Sequence, residues 1–237
     1  MAAWTGIVLL SSHDIRDHQV FELAATDKLI IDTDEGGVTL EPGEPGKVTV
    51  DRKITDSING PDPTWSLEGN RLKLRVNCPA AFGIGCDGSY RIKVPLDVPL
   101  EVFTDNGGID ASGLRQDMKF STDNGHIAIS DSVAANLVLN TDNGGINLAR
   151  VSTDRVRATT DNGGVRIRLD KAPTEVTVRT DNGGVHVTVP EDDNTYRVDV
   201  DIDNGAPHLI DSDSRSNRSI TVRTDNGGVD VDRAVIR

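Results

Sequence analysis

Thr104-Asp105-Asn106-Gly107-Gly108-Ile109 opens a phrase that the chain goes on repeating. Thr122-Asp123-Asn124-Gly125-His126-Ile127 follows, then Thr141 to Ile146, Thr160 to Val165 and Thr180 to Val185. A degraded copy, Ile202-Asp203-Asn204-Gly205-Ala206-Pro207, precedes a clean one at Thr224 to Val229. An outlying copy stands at Thr33-Asp34-Glu35-Gly36-Gly37-Val38. From Asp105 onward the aspartates lie 18, 19, 19, 20, 22 and 22 residues apart. A near-fixed period close to twenty marks an architecture in which each unit packs on the next.

The residues around the phrase alternate. Two before its Thr stand Ile31, Val102, Phe120, Leu139, Ala158, Val178, Val200 and Val222, and four before it Leu29, Leu100, Met118, Leu137, Val156, Val176, Val198 and Ile220. All are apolar, and the residues between them are mostly polar, which is the period of a strand with one buried face. Parity turns the Thr inward, where its hydroxyl can bond a turn backbone group. Past the glycines, Ile109, Ile127, Ile146, Val165, Val185 and Val229 begin a second alternating strand. Each repeat therefore reads strand, corner, strand, connector.

Two all-β architectures fit. An antiparallel meander would use Asn-Gly as hairpin turns. A solenoid would stack equal corners on equal corners about 4.8 Å apart. The solenoid accounts for the recurrence and for an aromatic content of 3%, since a thin interior takes aliphatic ladders. The expected fold is a single-stranded parallel β-helix of about 19–22 residues per coil, with a less regular N-terminal β region. Residues 25–100 and 101–237 would form one continuous domain after an N-terminal segment, 1–24.

Asp105, Asp123, Asp142, Asp161, Asp181, Asp203 and Asp225 are read as Asx-turn caps, and Gly107, Gly125, Gly144, Gly163, Gly183, Gly205 and Gly227 as positive-φ corners. A catalytic role for a phrase in so many copies is disfavoured. Stacked, the aspartates would form a column of like charges, each neighbouring pair costing about 1 kcal/mol in water. Divalent cations could relieve that repulsion, although the Gly-Gly-x-Gly-x-Asp pattern of calcium-binding coils is absent. Six past the Thr, Arg166, His186, His208 and Asp230 point outward in successive repeats, so His186 and His208 are expected to be neighbours. Two imidazoles without a third ligand read as a polar face, and no metal or cofactor is expected.

A net charge of −13 argues against a nucleic-acid partner. The apolar run from Trp4 to Leu10 is shorter than the about 20 residues of a membrane span and lacks the basic front of a signal peptide. It reads either as a packed terminus or as the outer end of an anchor whose beginning precedes Met1. Cys78 and Cys86 flank a Gly-rich loop. They can close a disulfide worth on the order of 2–3 kcal/mol, which would place the protein outside a reducing cytoplasm; two separate buried thiols are the other reading. Trp65-Ser66-Leu67-Glu68 and Arg71 to Val76 read as a hairpin across Gly69-Asn70.

The Thr-Asp-Asn-Gly-Gly-Val repeats, the Cys78-Pro79 to Cys86 loop followed by Tyr90-Arg91-Ile92-Lys93-Val94-Pro95, and the Tyr196-Arg197-Val198 strand resemble the bacterial putative-adhesin family, a group of β-repeat domains of unknown function. The resemblance spans roughly residues 25 to 235. It implies a right-handed β-helix, often preceded by a membrane helix, and carries over no catalytic residue. The expected function is a non-enzymatic adhesin-like or scaffolding surface module. It would be extracytoplasmic, at the cell surface or membrane-anchored, with a protein or glycan partner; a cytoplasmic location is the remaining reading. A polysaccharide-active β-helix enzyme and a self-assembling solenoid are the alternatives. The latter would have its last edge blunted by the charges of Val229-Asp230-Val231-Asp232-Arg233.

Overall fold

The computed structural model describes residues 13–56, 62–77 and 87–235. All secondary structure among them is β, and no helix is long and apolar enough to cross a membrane. The N-terminal third holds β1 (His13–Glu22), β2 (Leu29–Glu35), β3 (Gly37–Pro42), β4 (Lys47–Asp56), β5 (Asp62–Glu68), β6 (Arg71–Asn77) and β7 (Asp87–Val94). The repeats follow as β8 (Leu100–Asn106), β9 (Ile109–Ser112), β10 (Met118–Asn124), β11 (Ile127–Ser130), β12 (Val133–Asn143), β13 (Ile146–Asn162), β14 (Val165–Leu169), β15 (Glu175–Asn182), β16 (Val185–Pro190), β17 (Arg197–Asn204), β18 (Pro207–His208), β19 (Ser219–Asn226) and β20 (Val229–Ala234).

Strands entering the corner pair in parallel and in register. Thr104 lies opposite Thr122, and the row continues through Thr141, Thr160 and Thr180 to Thr224. Strands leaving the corner form a second parallel ladder through Ile109, Ile127, Ile146, Val165, Val185 and Val229. Each repeat is thus one rung with a strand in each ladder, and β13 contributes to both. The residues read as inward are buried: Leu100, Val102, Ile109, Leu139, Leu148, Ile167, Val178 and Val222 are all nearly inaccessible. The inner faces of the two ladders share one core. At the connectors, Arg150 Nε and Nη2 donate to Asp131 Oδ1 and Oδ2 of the neighbouring rung, both at 2.6 Å, and these bonds hold the Asp131 carboxyl below its usual range.

A uniform parallel coil is too simple a description, because the sheet is mixed. β4 runs antiparallel between β1 and β7, and β5 and β6 form the expected hairpin, with Gly69 at φ 62°. The outlying Thr33 phrase is not outlying in space, since β2 pairs directly with β8 and Thr33 faces Thr104. His13–Glu22 of the N-terminal segment is a strand of this sheet. Residues 1–12, with the Trp4 to Leu10 run, and Cys78 and Cys86, the expected disulfide pair, lie outside the described residues.

The rungs are also not stacked in chain order. β15 pairs with β19, and β17 pairs beyond β19. The degraded phrase therefore forms the terminal rung, while the last repeat of the sequence is inserted beneath it. The backbone explains why. In the other corners the residue after the second glycine position donates its N–H onward: Ile109 to His126 O, Ile127 to Gly145 O, Val185 to Gly228 O and Val229 to Ala206 O. The degraded phrase carries Pro207 at that position, and proline has no N–H to donate. Its rung costs the ladder nothing only at the end. The last edge is thus β17 and β18, not the Val229 to Arg233 stretch expected to blunt it.

Candidate functional site

The corner is held by two stacked columns. The first glycines approach one another so closely that a Cβ on Gly125, Gly144, Gly163 or Gly183 would collide with the carbonyl oxygen of the first glycine one rung below. That collision is what demands glycine along most of the stack. Gly36, Gly107 and Gly227 have φ of 98°, 141° and 157°, but Gly125, Gly144, Gly163, Gly183 and Gly205 do not adopt the positive φ expected of them. The carbonyl so exposed is satisfied from inside, since Thr122, Thr141, Thr160 and Thr180 Oγ1 donate to Gly107, Gly125, Gly144 and Gly163 O at 2.8–3.0 Å. This is the turn contact read from the parity of the Thr.

The asparagines form the second column. Nδ2 of Asn204 donates to Oδ1 of Asn226, and the chain of amides continues through Asn182, Asn162, Asn143 and Asn124 to Asn106. Each bond is 3.0–3.2 Å long, and the chain ends on Glu35 Oε1. Stacked amide ladders of this kind tie rung to rung. The sequence reading assigned the capping role to the aspartate instead. The N–H that an Asx-turn would need, on the first glycine, donates to the asparagine carbonyl of the next rung: Gly107 to Asn124 O, Gly144 to Asn162 O, Gly163 to Asn182 O. The carboxylates of Asp105, Asp123, Asp142, Asp161, Asp203 and Asp225 accordingly stand in solvent as an exposed column.

Beside these columns the second glycines leave a groove. Gly145, Gly164, Gly184 and Gly228 put bare backbone along four rungs, and the space above them measures about 530 Å³. One wall is the outward row Asn147, Arg166, His186 and Asp230. His126, which replaces a second glycine, stops one end. Its ring lies over Gly108, and its Nε2 contacts Asp110 Oδ1 at 3.1 Å. At the other end His186 and His208 are not neighbours as expected, because the inserted rung puts Asp230 between them. Asp232 lies 3.7 Å from His186 Nδ1 and 3.6 Å from His208 Nε2. Among the described residues no group of His, Cys, Asp and Glu is arranged to hold a metal ion. Arg166 is exposed and has no ion-pair partner among the described residues. The groove therefore offers a free guanidinium, an amide, imidazoles and a carboxylate above a glycine floor whose carbonyls are already bonded along the ladder. These side chains can both donate and accept hydrogen bonds.

Sequence reasoning listed Arg166, His186 and Asp230 of the wall but not Asn147, and it missed the groove. Its signal was the second glycine itself: two adjacent small residues at every corner imply one column for packing and one free to leave a channel.

A family model described as Toastrack DUF4097 matches residues 99–234, more than half of the chain. No curated protein matches the sequence. Among solved structures, one titled a putative adhesin from Bacteroides fragilis is 11% identical. It aligns over 93% of this chain and 97% of its own with a TM-score of 0.57, a likeness of fold. Another, titled a putative adhesin from Parabacteroides distasonis, is 11% identical over 93% and 97% of the two chains, with a TM-score of 0.47.

Proposed function

The chain belongs to the Toastrack DUF4097 family, a domain family of unknown function, and from that premise we propose a non-enzymatic, adhesin-like surface module whose corner groove binds an extended glycan strand. The observation that carries this reading is the four-rung glycine floor bounded by Asn147, Arg166 and His186. The rungs set one polar side chain per step along a line, Asn147, Arg166, His186 and Asp230, which suits an extended polar ligand better than a compact one. The groove is lined by no Phe, Tyr or Trp. Recognition would therefore run through hydroxyl and carboxyl groups rather than ring stacking. The titles of the structural neighbours agree with a role at a surface. The same reading takes the coil as right-handed, the hand of nearly all parallel β crossovers. It also places the domain outside the cytoplasm, where Cys78 and Cys86 would be oxidised.

A glycan array probed with the intact protein tests the reading, with fibrinogen and collagen spots alongside. Binding to a polar glycan class that falls at least about tenfold in Arg166→Ala, the loss expected for one charged hydrogen-bonding contact, supports it. A flat response, or binding that Arg166→Ala and His186→Ala leave unchanged, overturns it.

A further inference from the structure

Every clean corner carries Asn followed by Gly, the pairing most open to intramolecular attack, because a residue without Cβ leaves its backbone nitrogen unshielded. Six of these corners are protected by the stack. The N–H groups of Gly107, Gly125, Gly144, Gly163, Gly183 and Gly227 donate to asparagine carbonyls of the neighbouring rung at 2.9–3.1 Å. Gly205 differs. It belongs to the terminal rung, where β17 pairs only with β19, and its N–H meets no acceptor among the described residues. The Asn204 side chain is tied by donation alone, to Asn226 Oδ1 at 3.2 Å and Asp225 O at 3.5 Å, while its backbone carbonyl accepts from Gly227 N–H. Among the described residues none donates to Asn204 Oδ1, and both Asn204 and Gly205 are exposed.

We infer that Asn204-Gly205 is a site of spontaneous covalent modification, and that the stacked corners are shielded from the same chemistry. The Gly205 nitrogen loses its proton to water and attacks Asn204 Cγ. The new C–N bond forms as the Cγ–Nδ2 bond breaks, and the amide nitrogen leaves as ammonia. Water then opens the succinimide at either carbonyl, giving aspartate or isoaspartate. At the six stacked corners the attacking nitrogen must first break its bond to the next rung, and local opening in the interior of the stack is rarer than at its end. The product adds a carboxylate beside Asp203 and removes the amide that donates to Asn226. The isoaspartyl form also lengthens the backbone by one carbon at the edge.

The test is a time course of the full-length protein at mildly alkaline pH in 18O-labelled water, digested and read by mass spectrometry, with the urea-unfolded chain in parallel. In the unfolded chain the seven corners should react at comparable rates, which establishes that each is competent. In the native protein Asn204 should react at least about tenfold faster than Asn143 or Asn162, the factor set by one net backbone hydrogen bond. Native rates at Asn204 as low as those at Asn162, or at Asn162 as high as those at Asn204, would overturn the inference. Unequal rates in the unfolded chain that reproduce the native ranking would overturn it too, since local sequence would then explain the difference.

Discussion

At its N-terminal end the stack finishes in antiparallel strands whose outermost members, β1 and β5, meet through Phe21 and Trp65, whereas at its C-terminal end it stops on a bare parallel rung. Near β1 and β5, Arg52 is buried, its guanidinium 3.9 Å from the centre of the Trp65 ring and its Nη2 donating to Asp17 Oδ2 at 2.6 Å. Phe21 meets the same indole edge-on. Near β17 and β18, Val198, Val200 and Ile202 are only half-buried and Leu209 is exposed. What guards this edge is chemistry unfit for pairing: Asp199, Asp201 and Asp203 alternate along β17, and Pro207 breaks β18. Charges and proline are standard protection against strand addition. One end is thus closed by packing and the other by making association unfavourable, which weighs against the self-assembling solenoid.

The sharpest way to break the comparison is a methyl group. Gly163→Ala puts a Cβ onto Gly144 O between two fixed rungs and should cost about 3 kcal/mol in urea unfolding. Gly184→Ala meets only Gly228 O at 3.6 Å and should stay within about 0.5 kcal/mol. Equal losses would mean that the first-glycine column is not the close contact of the fold. Next in size are the ends themselves. Trp65→Ala removes the aromatic cover of Arg52 and should cost about 2 kcal/mol, and Leu209→Ala less than about 0.5 kcal/mol. A Leu209 loss as large as that at Trp65 would reveal a packed C-terminal end.

Much of this was legible in the residues. The period of the phrase and the parity of its flanks placed the strands, the core ladders and the inward Thr, and Gly69-Asn70 placed the hairpin. Stacking order was not read, although its cause stands in the sequence at Pro207, where every other corner has a donating N–H. Hydrogen-bond direction around the corner decides that point, and periodicity alone does not carry it. The asparagine ladder was hidden for a similar reason. An Asx-turn is a local prediction, and it fails because the glycine N–H it needs is taken by a rung about twenty residues away in sequence. The groove was obscured because its defining residue is the one without a side chain.

Within the ladder, position should set the loss. Asn162→Ala breaks an amide bond on each side, to Asn143 and from Asn182, and should cost about 1 kcal/mol. Asn204→Ala breaks one amide–amide bond at the edge and should cost about half as much. Equal effects would make the ladder an ornament of the corner rather than a tie between rungs.

The smallest effect at neutral pH belongs to the two tyrosines, which mark the two ends. Burial pushes the phenols of Tyr90 and Tyr196 up to about 12, against an unfolded value of about 10. A proton held more tightly in the folded state stabilises it fully below the unfolded value, and that stabilisation is lost as pH rises from about 10 to about 12. Among the described residues neither buried hydroxyl has a hydrogen-bond partner, so Tyr90→Phe and Tyr196→Phe should each be nearly neutral at pH 7 and flatten the alkaline fall in stability. Phenolate absorbance of the single-tyrosine variants separates the ends. If the open C-terminal rung frays before the aromatic-tied N-terminal strands, Tyr196 ionises at lower pH than Tyr90. Coincident titrations would mean that Arg233, 5.6 Å from the Tyr196 ring, closes that end as firmly as Arg52 and Trp65 close the other.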